Sequence, residues 1–139
     1  MNDHWAKQYI GIPWVDSGHG DKGQEAYNCW TFFSMVQHKH YGRDMPILGF
    51  EVDSAKQVVK GFKGLDIKGM GWEPCAIPYD GDAVLFVRGT GLPHVGIWIQ
   101  SMGMKGVLHC QQGVGVGFNV MTHFFTRQWS DITYYKWTK

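Results

Sequence analysis

Residues 94–112 read HVGIWIQSMGMKGVLHCQQ, and the reading of this stretch decides the architecture. Apolar residues alternate with others in HVGIWI and again in GVLHCQQ, with the turn-rich SMGMKG between them. A period of two marks strands, whose successive side chains point to opposite faces. In the first run Val95, Ile97 and Ile99 share one face, and His94, Gly96 and Trp98 share the other. The branched face belongs to a core. The His–Gly–Trp face looks elsewhere, with Gly96 leaving room for a close approach. In the second run His109 shares a face with Val107 and Gln111, while Cys110 points away. If 94–99 and 107–112 pair as a hairpin around SMGM, His109 falls beside His94 on the same face.

Further strands lie on both sides of this hairpin. AVLFV (83–87) and ITYYKW (132–137) are extended in pattern, and the period turns from helical to extended at Gly71. THFFTRQW (122–129) reads as a helical turn between the last strands. Before Gly71 the signals are helical. Asn28 offers an N-cap, and Cys29, Phe32, Phe33 and Val36 follow at helical spacing, so a helix runs from Cys29 to near Gly42. Short helices are expected over 2–9 and from Asp53 or Ser54 through Val59, ending at Gly61. The segment 11–27 reads as a loop. Helices first and a strand meander after is an α+β order, not βαβ alternation. The GVGVG run at 113–117 lacks the Lys and the following helix of a phosphate loop.

Composition narrows the function. A chain of 139 residues with 44% apolar residues fits a single domain, 1–139, with a real core. A net charge of +1 supplies no field for a nucleic-acid backbone. No apolar run reaches the roughly 18 residues of a spanning helix, so no membrane insertion is expected. The N-terminal MNDHWAKQY lacks the basic and apolar regions of a secretory signal, and synthesis in a cytoplasm is expected. Three cysteines without C-x-x-C spacing do not make a disulfide scaffold.

One of the three cysteines is placed for chemistry. Cys29 falls in the first turn of a helix, where backbone N–H groups and the dipole favour a thiolate. It is equally readable as a small core residue on the face of Phe32 and Val36. Among seven histidines, only His94 and His109 lie within apolar β-type segments. Together they complete a nucleophile, base and orienter: Cys29 attacks a carbonyl, His94 moves the proton, and His109 fixes the His94 tautomer. A zinc site built from Cys29, His94, His109 and one more ligand is the competing reading, but no ligand pair has the close spacing common to zinc sites. No metal or cofactor is expected.

Several motifs carry a resemblance. GIPWVDSGHGDKGQEAYNCW (11–30) resembles the G-x-P-Y…D-C stretch of NlpC-type cell-wall cysteine peptidases, a papain-like family. PYDGDAVLF (78–86) and PHVGIWI (93–99) resemble its P-G-D strand and its H-V-G-I strand. VLHCQQGVGV (107–116) resembles the strand with its third polar residue, and NCW with LHCQQGVGV is most similar to phage-tail members. The resemblance spans nearly the whole chain. It implies N-terminal helices on an antiparallel sheet of about five strands, with Cys29 as nucleophile, His94 as base and His109 as orienter. It also implies hydrolysis of the peptide stems of bacterial peptidoglycan, tail proteins as partners, and action at the wall or periplasm when carried by a tail assembly.

The chain departs from the pattern twice. Asn28 replaces the usual Asp, which keeps the cap and removes a charge opposing the thiolate. Trp14 replaces the usual Tyr, leaving an indole N–H where a hydroxyl helps line the oxyanion site. Trp14, Asn28, Trp30 and Trp98 are the expected substrate-binding residues, with core packing an equal alternative for Trp30. Related lipid acyltransferases of permuted fold place histidine before cysteine, whereas here Cys29 precedes His94. The remaining alternative is an inactive tail-assembly or wall-binding module that keeps the fold.

Overall fold

Asn28 begins the main helix as its sequence requires. Its side-chain oxygen accepts from the Thr31 N–H at 2.8 Å, and the Thr31 hydroxyl accepts from the Asn28 N–H at 3.0 Å. This reciprocal box satisfies two amides and sets Cys29 as the first helical residue of α1, Cys29–Tyr41. Gly42, left-handed at φ 62°, ends it. The computed structural model describes residues 4–15, 27–43, 71–89 and 94–139. The short helix expected over 53–61 lies outside the described residues. Of the short helix expected over 2–9, the described part is a 3-10 helix, Trp5–Tyr9, begun by His4, whose Nδ1 accepts from the Ala6 N–H at 3.0 Å.

Six strands follow: β1 Trp72–Cys75, β2 Ala83–Val87, β3 His94–Ser101, β4 Met104–Gln111, β5 Gly115–Asn119 and β6 Asp131–Trp137. A one-turn helix, α2 His123–Thr126, precedes the last. All six join one antiparallel sheet in the order β1-β6-β2-β3-β4-β5. The architecture is α+β, as the element order predicts. The sheet has one strand more than about five. The strands absent from the sequence reading are its two edges. β1 (WEPC) carries a proline, which sheets tolerate at an edge, and β5 (GVGFN) is glycine-interrupted. Residues 11 and 12 cover part of β5, through Gly11 N–H to the Val116 carbonyl at 2.9 Å and Val116 N–H to the Ile12 carbonyl at 2.8 Å.

The β3–β4 hairpin closes through Met102 and Gly103 at φ 52° and 81°, a two-residue turn with both residues left-handed. Its register pairs Ile97 with Leu108. His109 therefore lies across from Gly96, one step diagonally from His94.

The sheet has two apolar layers. α1 lays Trp30, Phe32, Phe33 and Val36 on the face carrying Val95, Ile97, Ile99, Leu108 and Cys110. On the opposite face Val84, Phe86, Trp98 and Val107 pack with Phe125 of α2. Polar bonds lock the far end of α1. Gln37 Nε2 and Arg43 Nη1 donate to the Gly81 carbonyl at 2.9 and 2.6 Å, and the Tyr41 hydroxyl donates to Asp80 at 3.0 Å. Asp80 also accepts from the Gln100 N–H on β3 at 2.6 Å. The C-terminal end of the helix is thereby held against the sheet.

Candidate active site

Cys29 is half-buried at the start of α1. Its own N–H and those of Trp30 and Val95 favour the thiolate, but burial outweighs them and pushes the thiol up to about 11. The sequence predicts the opposite direction, because a first-turn cysteine gains from helix amides. Desolvation is the larger effect here. The amide of Val95 is the link to the histidines, since His94 is the preceding residue and the first of β3.

The two imidazoles meet as the strand parity requires. His94 Nε2 lies 2.6 Å from His109 Nδ1, and both side chains are buried. A methyl group at position 96 would press within 2.6 Å of Val107 and 3.1 Å of the His109 Cβ, so glycine permits this approach. The pair sits in the second apolar layer. Trp129 stacks parallel to His94 at 5.8 Å, Phe86 flanks both rings, and Phe125 meets His109 edge-on at 5.9 Å. Arg88 lies over Trp129 at 4.7 Å. Burial holds His94 well below the ordinary imidazole range, with smaller contributions from His109 and Arg88. Burial lowers His109 too, opposed by its bond to Asn119.

Asn119 is the residue that sequence reasoning missed. Its Oδ1 lies 2.7 Å from His109 Nε2, which extends the chain of hydrogen bonds to His94–His109–Asn119. It ends β5, an edge strand with no clear alternating pattern. The only signal was its position ten residues after His109, across a possible second hairpin.

The expected residues are not all brought together. Cys29 reaches β3 from the α1 face, and the histidines occupy the other face. Among the described residues, the His94 ring makes one hydrogen bond, to His109. Trp14 is half-buried in a parallel bridge to Tyr27, two residues before the cysteine, with Val15 N–H donating to the Tyr27 carbonyl at 2.9 Å. Asn28 is buried and its side chain is spent in the capping box.

Two of the three tryptophans named for substrate pack inside, and for Trp30 this is the core-packing alternative. Trp30 is 1% exposed and lies against Phe33 in the α1 layer. Trp98 is buried in the other layer, donating its indole N–H to Gln100 at 3.0 Å and meeting Tyr134 edge-on. Large apolar rings on a strand or helix face gain more by burial than by lining a wet groove. Cys110 is buried against the Tyr27 carbonyl at 3.3 Å and pushed up to about 12 by burial, as befits a packing residue. Cys75 is half-buried, 3.9 Å from Asp82. Among the described residues no three His, Cys, Asp or Glu side chains converge on a metal position.

Fold and site together define an α+β chain with a helix-capped cysteine next to a strand that carries a buried imidazole relay. No family model matches the chain, and no curated protein matches it either.

Proposed function

We propose that the chain is a cysteine peptidase or amidase of the NlpC kind, cleaving peptide stems of bacterial peptidoglycan, carried by a phage or prophage tail. The observation that supports it best is the 2.6 Å His94–His109 bond, in a strand whose next amide, Val95, faces the Cys29 thiol. With the thiol raised and the imidazole lowered, both are neutral at rest. Proton transfer then accompanies attack. Cys29 Sγ bonds to the stem carbonyl carbon as its proton passes to His94, and the carbonyl oxygen becomes an oxyanion beside the Cys29 N–H. His94 returns that proton to the departing amine, leaving a thioester. Water gives a proton to His94 and attacks the thioester, which releases the carboxylic acid and restores the thiol.

The tail setting and the wall substrate rest on the sequence resemblance, above all on LHCQQGVGV. Digestion of purified walls by wild type and Cys29→Ala, with the released peptides identified by mass, tests the activity. Release by wild type alone is expected. Equal release, or none from either, overturns it.

One observation favours the second reading, a binding module without turnover: burial opposes ionisation of both Cys29 and His94. Alkylation at neutral pH separates the two. Labelling of Cys29 well ahead of Cys75 and Cys110 belongs to the enzyme, and equally slow labelling of all three belongs to the module.

A further inference from the structure

The hydrogen-bond chain His94–His109–Asn119 fixes more than distance. A neutral imidazole has one N–H and one lone pair, so each contact along the chain constrains the next. His109 is 1% exposed, with His94 at Nδ1 and Asn119 at Nε2. The Asn119 oxygen only accepts, so His109 carries its proton on Nε2. Its Nδ1 then offers a lone pair, and His94 must donate from Nε2. What remains on His94 is an unprotonated Nδ1.

We infer that Asn119 is a positioning residue that sets the tautomer of His109 and, through it, that of His94, leaving His94 Nδ1 unprotonated and able to act as a base. The role in turnover rests on the peptidase reading; the tautomer does not. Were the amide of Asn119 turned so that its nitrogen faced His109, every donor in the chain would reverse. His94 would then carry a proton on Nδ1 and could accept none there. The backbone places Asn119 firmly for this task. It pairs with Val107 across the β4–β5 ladder, and a Cβ at Gly106 would collide with its carbonyl.

Nitrogen-15 NMR of histidine-labelled protein at neutral pH reads the tautomers directly, without substrate. Wild type is expected to show His94 and His109 both protonated on Nε2. Asn119→Leu removes the acceptor at similar size, and His94 should become a mixture of tautomers. Asn119→Asp keeps an acceptor, so it should keep the Nε2–H form and move the imidazole titration to higher pH. In wall digestion, Asn119→Leu should lower kcat roughly ten- to a hundredfold with KM little changed, less than loss of a group touching the base. Asn119→Asp should retain most of the rate.

A pure Nε2–H His94 in Asn119→Leu overturns the inference, as does an Nδ1–H His94 in wild type. Equal rate losses in the two variants would mean a merely structural role and also overturn it. If Asn119→Leu does not fold, the wild-type and Asn119→Asp spectra decide. Should the tautomers behave as expected while no preparation cuts wall, the inference stands and the peptidase reading falls.

Discussion

The face of the sheet under α1 and the face under α2 bury different things. Under the thirteen-residue α1, the strands contribute Val95, Ile97, Ile99 and Leu108, and the helix answers with Trp30, Phe32, Phe33 and Val36. Under the four-residue α2, two buried imidazoles share the layer with Phe86, Trp98 and Phe125. The same strands serve both faces, because alternate residues point opposite ways. One face gathers apolar area around a long helix and carries the stability. The other buries polar rings whose desolvation is offset by hydrogen bonds to one another and to Asn119. The lesson is a division of labour between odd and even positions of β3.

The sharpest way to break this contrast is a matched pair of truncations. Phe33→Ala, at a fully buried site between Trp30 and Trp72, should lose about 3–5 kcal/mol in urea unfolding. Phe125→Ala on the other face, in a one-turn helix, should lose distinctly less. Equal losses would dissolve the distinction. Next in size is His109→Ala. It should lower turnover on wall fragments roughly a hundredfold, about 2.7 kcal/mol, with the fold intact. His109→Gln or His109→Asn should keep more of the rate, because an amide oxygen still accepts the His94 N–H. If Gln111→Ala is slow and His109→Ala is not, the wrong residue has been assigned to the relay.

Gly96→Ala probes the joint between the faces. Its methyl would push on Val107 and His109, at a cost of about 1–3 kcal/mol, and should part the two rings. Loss of stability without a change in the histidine spectra would mean that the rings do not need the close approach. The smallest effect is the pH dependence just below neutrality. Both imidazoles lie below the ordinary value of about 6.5 in the folded chain. As pH falls through that value the unfolded chain binds protons that the folded chain refuses, so stability falls with acid. Thermal unfolding between pH 7.5 and 5.5 should show this decline, and His94→Gln with His109→Gln should flatten it. At the alkaline end the Cys29 thiol, raised to about 11, acts in the opposite sense. Stability should fall as pH climbs past the ordinary thiol value, and Cys29→Ala should remove that part of the loss.

Much of this molecule was legible in HVGIWIQSMGMKGVLHCQQ. Strict alternation assigned His94 and His109 to one face and Cys110 to the other, and the tight turn set their register to within a step. The Asn28 cap and the Phe32, Phe33, Val36 spacing located α1, because capping and helical period are local properties of the chain. Only the tertiary structure decided the rest. β1 exists because the distant β6 supplies the ladder bonds that WEPC does not signal itself, β5 forms a hairpin with β4 that GVGFN does not signal, and Asn119 joins the relay through that second pairing. Trp30 and Trp98 went inward, and the Cys29 thiol rose instead of falling, because burial is set by everything that packs around a group and outweighs its local helix amides. Periodicity and capping are written in neighbouring residues; desolvation and cross-strand partners belong to the folded whole.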